Sequence, residues 1–279
     1  GLGDVYKRQG QALRKKKDAS VVVATSLVRD NRCDAVIAPG STGAAVAAAL
    51  FGLGRIKGID RPVIATPMPT VSGITVMLDS GANSNCKPKH LVQGALMGSE
   101  YAKLLLGKEN PTVGLLNIGE EATKGNDVVL ATYPILEGMK TINFKGNIEG
   151  RDIPKGAVDV VVCDGFVGNV VLKFAEGLVT GLTQLVKDSI MAGSIFAKIG
   201  AMLVKPALKK MAKRLDHTEN GGAPLLGVNG VFMIAHGSSK AKEIKTAIEI
   251  ASDLVERKII QHIRETMDIE GALKYDYDE

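Results

Sequence analysis

The sequence predicts an α/β fold built on a doubly wound, mostly parallel sheet, and three observations favour this class. Short, nearly continuous apolar runs are rich in β-branched residues and bounded by Gly, Pro or Asp, which is typical of parallel strands covered on both faces. Helical patterns lie between these runs, as right-handed crossovers require. Of the 279 residues, 32 are Gly and only 4% are aromatic, which suits an aliphatic core with many tight turns.

The predicted strands and helices alternate along the chain. Strands are expected at 34–38, 62–65, 75–78, 112–116 and 158–163, and helices at 43–51, 89–106 and 168–188. Four strand ends lead into Gly-rich turns, at 38–43, 78–83, 117–121 and 164–169. These turns should gather at the carboxyl edge of the sheet, where backbone N–H groups suit an anion. One such turn is more often a simple connection, but four together predict an anion site.

Length and composition fit a single domain over residues 10–279, with no linker, low-complexity tract or fixed-period repeat. Residues 1–9 carry no apolar period, and we expect them to be non-native or disordered. The three cysteines show no CxxC spacing, which disfavours disulfides and structural zinc and favours a reducing cytoplasm. No apolar run reaches the roughly 18 residues of a membrane span.

The net charge of +5 is concentrated in one segment, since six basic residues and no acid lie between Lys198 and Arg214. Nucleic-acid-binding proteins more often interleave basic and aromatic residues over a broad face, so no nucleic-acid partner is expected. Residues 189–217 are predicted to form a protruding amphipathic helical hairpin, with Pro206 ending or kinking its first helix.

Two interpretations of this hairpin stay open. The first is a helix pair packed on the core or on a partner subunit, with a solvated lysine face. The second is a hairpin on an anionic membrane surface, where each lysine contributes about 1 kcal/mol. The predicted membrane-binding residues are Ile195, Phe196, Ile199, Leu203, Lys209 and Lys210.

Seven segments, each weak alone, follow one another in an order specific enough to identify a family. They are STGA at 41–44, LDSGAN at 78–83, VGLLNIGEE at 113–121 with KGN at 124–126, GNIEGRD at 146–152, DVVVCDGFVGNVVLK at 159–173, GGAPLLG at 221–227 and AHGSS at 235–239. With them the chain resembles the PlsX family, the phosphate acyltransferases of bacterial glycerophospholipid synthesis, from about Arg14 to about Ile263.

The resemblance implies a Rossmann-like three-layer α/β/α sandwich and a homodimer that is cytoplasmic but peripherally associated with the membrane. It implies transfer of a long-chain acyl group from an acyl-carrier-protein thioester to inorganic phosphate, with no cofactor and no metal. The acyl phosphate would then pass to a membrane glycerol-3-phosphate acyltransferase. The family usually has Asn where this chain has Ser41, and the family's opening strand and Asp-Ala-Met-Gly-Gly-Asp turn are missing. We therefore expect an amino-terminally truncated enzyme.

Phosphate can attack a thioester directly, so the expected site positions it, stabilises the oxyanion and helps the thiolate leave. Cys163 is expected to be structural, because nothing nearby in the sequence activates it. Acids repel phosphate, so the carboxylates beside the Gly-rich turns should orient amides or cations instead. These carboxylates are Asp79, Glu120, Glu121, Glu149 and Asp164.

The predicted catalytic residues are Asn169, Lys173 and His236, the last as the acid that protonates the leaving thiolate. The predicted phosphate-binding residues are Ser41, Thr42, Gly43, Gly81, Asn83, Lys124, Asn126, Arg151 and Gly168. A surface ion pair for Lys124 and Arg151, a solvated helix face for Lys173 and a structural role for His236 stay open.

Three other functions also stay open. A phosphate acetyl- or butyryltransferase that uses coenzyme A shares the fold and the chemistry, but the basic hairpin favours the lipid pathway. A nicotinamide-dependent dehydrogenase is disfavoured, because the GLGRIKG segment at 52–58 has its third Gly one residue late and follows a helical pattern. A non-catalytic scaffold that recruits lipid-synthesis enzymes to the membrane is the third.

Overall fold

The structure, a computed structural model, describes residues 16–215 and 221–272, so the predicted segment 1–9 and the end of the 189–217 hairpin lie outside it. Within these ranges the strands are β1 (Ala35–Pro39), β2 (Val63–Ile64), β3 (Thr66–Thr70), β4 (Gly73–Leu78), β5 (Thr112–Asn117), β6 (Asn143–Glu149), β7 (Val160–Val162), β8 (Ala223–Leu226) and β9 (Val231–Ala235). The helices are α1 (Ser20–Arg29), α2 (Thr42–Gly52), α3 (Pro88–Leu106), α4 (Asp127–Gly138), α5 (Gly165–Ala192), α6 (Ile195–Leu215), α7 (Ala241–Glu256) and α8 (Ile259–Ala272).

The predicted α/β class is confirmed, but the strands divide into two sheets where one was expected. One sheet has the order β1-β9-β8-β2, and the other has the order β3-β4-β7-β5-β6. The second sheet is parallel except for the β3–β4 pair. The chain changes sheet at Ala65, because β2 pairs antiparallel with β8 while β3 pairs antiparallel with β4.

The second sheet is covered on both faces, as its strand pattern predicted. Alternate residues point to opposite faces. Val160 and Val162 of β7 join the core cluster that contains α3, whereas Val161 packs with residues of the first turns of α5. The first sheet is also covered on both faces. Met233 of β9 packs in the core cluster that contains α7, and its neighbour Phe232 packs in the cluster that contains α2. In each sheet, neighbouring parallel strands end at the same edge, so the turns that follow these strands lie close together there.

Four observed strands in the described ranges were not predicted from the sequence. Of these, β8 and β9 are internal in their sheet, whereas β3 and β6 lie at sheet edges. β3 contains Pro67 and Pro69, which argue against a central strand but are tolerated at an edge because one side of the strand makes no ladder bonds. β6 is the opposite edge and is largely polar, so it lacks the continuous apolar run used to predict strands.

The helix α5 extends far beyond the sheet. Its apolar side chains recur about one turn apart but are exposed after the first turns, including Phe174, Leu178, Leu182 and Leu185. By length and composition this helix is also apolar enough to cross a membrane, with only 11% of its most apolar window buried, although the sequence analysis expected no such run. The prediction of a hairpin within 189–217 is wrong in its bounds, because Ile195–Leu215 form one helix, α6, that continues through Pro206. The bend lies at 193–194, so the helical pair consists of α5 and α6.

Candidate active site

Two loops meet at the carboxyl ends of the parallel neighbours β1 and β9. A Cβ atom placed on Gly237 would lie 3.7 Å from the Cα of Gly40, so the loops are in contact. Ser41 caps α2, since its side chain accepts a hydrogen bond from the Ala44 amide at 3.5 Å. In the described part of the chain, the amides of Thr42 and Gly43 have no hydrogen-bond partner. They are therefore available to an anion at the positive end of this helix.

His236 lies exposed in the second of these loops. The Ser238 amide donates to its Nδ1 at 3.2 Å, and the Ser238 hydroxyl lies 2.6 Å from the same nitrogen. Because a backbone N–H only donates, Nδ1 must accept, and the neutral ring carries its proton on Nε2. His236 therefore presents a proton donor outward. No role was predicted for Ser238, although it lies only two residues after His236 in the sequence.

Asp79 organises the turn after β4. Its carboxylate is buried and accepts hydrogen bonds from the amides of Ile64 at 3.1 Å, Gly81 at 3.2 Å, Ala82 at 2.9 Å and Asn83 at 2.7 Å. The side-chain amide of Asn83 donates a fifth bond at 2.9 Å. Burial raises the pKa of the Asp79 carboxyl, and the backbone hydrogen bonds oppose that rise. The expected role for this acid, orienting amides, is what the geometry shows.

This arrangement changes the interpretation of Gly81 and Asn83. Both were predicted to donate to phosphate, but in this structure their amides are already bonded to Asp79. The other side-chain bond of Asn83 goes to the carbonyl of Pro62 at 2.7 Å. Gly81 and Asn83 therefore stabilise the turn, and these groups are not free to donate to phosphate in this structure. The backbone at Gly81 has a φ of 140°, a conformation that L side chains rarely adopt.

The start of α5 is pressed against the same turn. A Cβ atom on Gly165 would lie 2.7 Å from the carbonyl oxygen of Asn83, and one on Gly168 would overlap the carbonyl oxygen of Asp79. Asp164 caps the helix and accepts from the amides of Phe166 and Val167, both at 2.9 Å. The first amides of α5 are thus occupied, and Gly168 serves close packing, so the structure offers no phosphate contact for it.

The other two predicted catalytic residues lie on the first turns of α5. Asn169 is exposed, and its side chain lies 3.6 Å from where a Cβ atom on Gly81 would be, so the turns after β4 and β7 meet there. Lys173 is exposed and pairs with Glu176 at 2.8 Å. Lys173 therefore lies on a solvent-exposed face of α5, as the alternative to a catalytic role had it.

A third group of predicted residues lies farther along the same edge, after β5 and β6. Asn126 caps α4 by accepting from the Val129 amide at 3.0 Å. Lys124 is exposed, and the exposed Arg151 is paired with the partly buried Glu149. Asn147 joins the two connections, because its side-chain amide donates to the carbonyl of Glu121 at 2.9 Å. The role of Lys124, Asn126 and Arg151 in phosphate binding stays a prediction.

The cysteines at this edge are not poised to act as nucleophiles. Burial raises the pKa of the Cys86 thiol to about 12, with the Asp79 carboxylate adding to the rise, and raises the pKa of the Cys163 thiol well above its ordinary value. Both groups are therefore thiols at neutral pH, whereas a nucleophilic cysteine is a thiolate. Cys33 is exposed but precedes β1, at the amino end of its sheet.

Comparison with solved structures supports this fold. The EutD phosphotransacetylase from Staphylococcus aureus matches with a TM-score of 0.55 at 14% identity, over 89% of this chain and 75% of that one. A phosphotransacetylase from Streptococcus pyogenes matches with a TM-score of 0.55 at 15% identity, over 90% of this chain and 76% of that one. At this identity the likeness concerns the Rossmann-like fold alone.

Sequence comparison is more specific. A family profile described as "Fatty acid synthesis protein" matches residues 5–262. The phosphate acyltransferase of Desulfitobacterium hafniense is 56% identical over 92% of this chain and 77% of its own length. Those of Pelotomaculum thermopropionicum and Heliobacterium modesticaldum are 56% and 58% identical, over 94% and 91% of this chain and 77% and 75% of their own lengths. The chain therefore belongs to the phosphate acyltransferase family, a family of acyltransferases in fatty acid and phospholipid synthesis.

Proposed function

We propose that this protein transfers a long-chain fatty acyl group from an acyl-carrier-protein thioester to inorganic phosphate and releases acyl phosphate. The observation that carries the proposal is the pair of unpartnered amides at Thr42 and Gly43, which lie beside the loop of His236. Amides at a helix start suit the phosphate anion or the oxyanion of the tetrahedral intermediate. A proton donor in the neighbouring loop suits the leaving thiolate.

The reaction balances without a covalent enzyme intermediate. A phosphate oxygen forms a bond to the thioester carbonyl carbon, the tetrahedral oxyanion collapses, and the carbon–sulfur bond breaks. To act as the acid, His236 takes up a second proton on Nδ1, which can then donate to the Ser238 hydroxyl oxygen. The imidazolium gives its Nε2 proton to the thiolate, becomes a neutral ring and is protonated again from solvent. Because Cys86 and Cys163 are protonated, direct attack by phosphate is the simplest route that these residues support.

We further propose that α5 and α6 attach the protein to an anionic membrane surface in the cytoplasm, where the product is used by a membrane glycerol-3-phosphate acyltransferase. The exposure of the predicted residues supports this proposal, since Ile195, Phe196, Ile199 and Leu203 are 65%, 80%, 49% and 78% exposed. Lys209 and Lys210 on the same helix are also exposed. We propose that the exposed apolar face of α5 packs against the same face of a second copy and so forms a homodimer.

The experiment measures acyl phosphate formed from inorganic phosphate and three thioesters: long-chain acyl-carrier protein, long-chain acyl-coenzyme A and acetyl-coenzyme A. The proposal expects acyl phosphate with the carrier-protein substrate. Within this assay, His236→Ala should lower kcat by about 10²- to 10⁴-fold, the usual contribution of general acid–base catalysis, with little change in the KM for phosphate. Product from acetyl-coenzyme A alone would instead support the phosphate acetyltransferase alternative.

A further inference from the structure

A cleft of about 210 Å³ lies along α2, behind the turn that Asp79 organises. Val46 and Leu50, one helical turn apart on α2, form one wall. The buried Pro62 and Asn83 line the opposite side. The remaining lining residues are Arg55, Asp60 and Arg61, so the cleft combines apolar walls with charged groups.

The charges of the cleft favour an anion. Arg61 is exposed and, in the part of the chain that the structure describes, makes no hydrogen bond or ion pair. Arg55 donates to the backbone carbonyl of Asp60, and the Asp60 carboxylate pairs with Lys89 at 3.3 Å. Two guanidinium groups thus line the cleft, and neither pairs with a carboxylate among residues 16–215 and 221–272. Guanidinium groups bind phosphate oxygens with paired N–H donors, which makes a phosphate group the natural occupant of this end.

The other end of the cleft approaches the free amides. Val46 lies three residues after Gly43, which is about 4.5 Å along a helix axis. A linear ligand placed in the cleft would therefore contact Leu50 and Val46 along its length. One of its ends would reach Arg55 and Arg61, which line the cleft. The other would extend past Val46 toward the start of α2, which lies just outside the cleft.

We propose that this cleft binds the phosphopantetheine arm of acyl-carrier protein, with its phosphodiester at Arg55 and Arg61 and its thioester directed to Thr42 and Gly43. This inference rests on the proposed function, because it concerns the donor of that reaction. The arm has the required order of groups: an anionic phosphodiester, an uncharged amide and methylene chain, and a terminal thioester. Coenzyme A carries the same arm, so the test separates the two sources.

The first test measures binding without turnover. Isothermal titration of the full chain would use phosphopantetheine and its dephosphorylated form, pantetheine. The cleft should bind phosphopantetheine at least tenfold more tightly, since a charged hydrogen bond contributes that much. Arg55→Ala with Arg61→Ala should remove the preference, while Lys57→Ala, in the same connection but outside the cleft, should retain it. Equal affinity for both ligands in the unmodified protein, or an equal loss in the lysine variant, would overturn the inference.

The second test uses kinetics to identify the source of the arm. With the double arginine variant, the KM for acyl-carrier protein should rise about tenfold or more, whereas the KM for an acyl-N-acetylcysteamine thioester, which lacks the phosphodiester, should not change. A rise confined to acyl-coenzyme A would overturn the assignment to carrier protein. If the binding preference holds but no acyl thioester yields acyl phosphate, the proposed function fails and the cleft assignment stands. If acyl phosphate forms but the protein does not prefer phosphopantetheine to pantetheine, the proposed function stands and the assignment of the cleft fails.

Discussion

Individual residues at the carboxyl edge divide into those that hold the backbone and those left free for a ligand. Asp79 is the main residue of the first kind, because its carboxylate accepts five hydrogen bonds. Thr42 and Gly43 are of the second kind. Sequence reasoning found both groups, but it could not separate them. An amide in a Gly-rich turn looks the same in the sequence whether a carboxylate or a ligand accepts its hydrogen bond.

At Gly168 we predict that even one methyl group is too large. Gly168→Ala would push its Cβ into the carbonyl oxygen of Asp79, which is backbone and cannot move aside easily. Overpacking of this kind costs about 1–3 kcal/mol or more, so the midpoint of denaturant unfolding should fall. Gly177→Ala in the same helix is the matched control. Its Cβ would meet nothing, so the change should stabilise the helix by about 1 kcal/mol. Equal midpoints for both variants would contradict the packing described for α5.

For the cysteines we predict contrasting reactivity and a loss of stability in alkali. Iodoacetamide at pH 8 should modify the exposed Cys33 well before Cys86 or Cys163, as read by peptide mass spectrometry. The pKa of Cys86 is about 12 when folded, against an ordinary value of 9.0. The folded state therefore holds its proton where the unfolded state has lost it, and stability should fall as pH rises from 9 to 12. Fast labelling of Cys86 at pH 8 would show that the thiol is ionised, and would reopen covalent catalysis.

Among the elements, those with a strong apolar pattern were predicted closely. The observed α2 covers 42–52 where 43–51 was expected, and β5 covers 112–117 where 112–116 was expected. The elements β3 and β6 were missed because prolines or polar residues are acceptable at an edge. The helix α5 covers 165–192 where 168–188 was expected. Its first turns are part of the sandwich, whereas many apolar side chains farther along it are exposed.

For α6 we predict that its lysines and apolar side chains act together on membranes. Lys209→Glu with Lys210→Glu should lower partitioning onto anionic vesicles by about 30-fold or more, since each lysine contributes about 1 kcal/mol. Phe196→Glu should lower it further, because this side chain is 80% exposed and would enter the interface. Lys57→Glu, a single charge reversal of the same kind in the loop after α2, is the control in a flotation assay. Unchanged flotation of the α6 variants would favour the alternative in which this face packs against protein.

At the scale of the whole molecule, the two sheets share one core, since residues of β4, β7 and β9 lie in one cluster with α3. The turns that hold the candidate site therefore rest on a common packed support. The exposed apolar faces of α5 and α6 are separate from this support, and contact with a membrane and with a second subunit is the proposal made for them. The sequence pointed to the family through the order of its motifs, but the division into two sheets and the arginine cleft depend on contacts between distant segments. No local pattern encodes those contacts.

The central claim is that phosphate attacks a carrier-protein thioester, and phosphorus NMR of the products tests it most directly. The protein would be incubated with long-chain acyl-carrier protein and ¹⁸O-labelled inorganic phosphate. We predict an acyl phosphate whose carbonyl–phosphorus bridge carries ¹⁸O, formed in proportion to the free carrier-protein thiol. Failure to form acyl phosphate while the thioester stays intact, or formation only from acetyl-coenzyme A, would contradict the account.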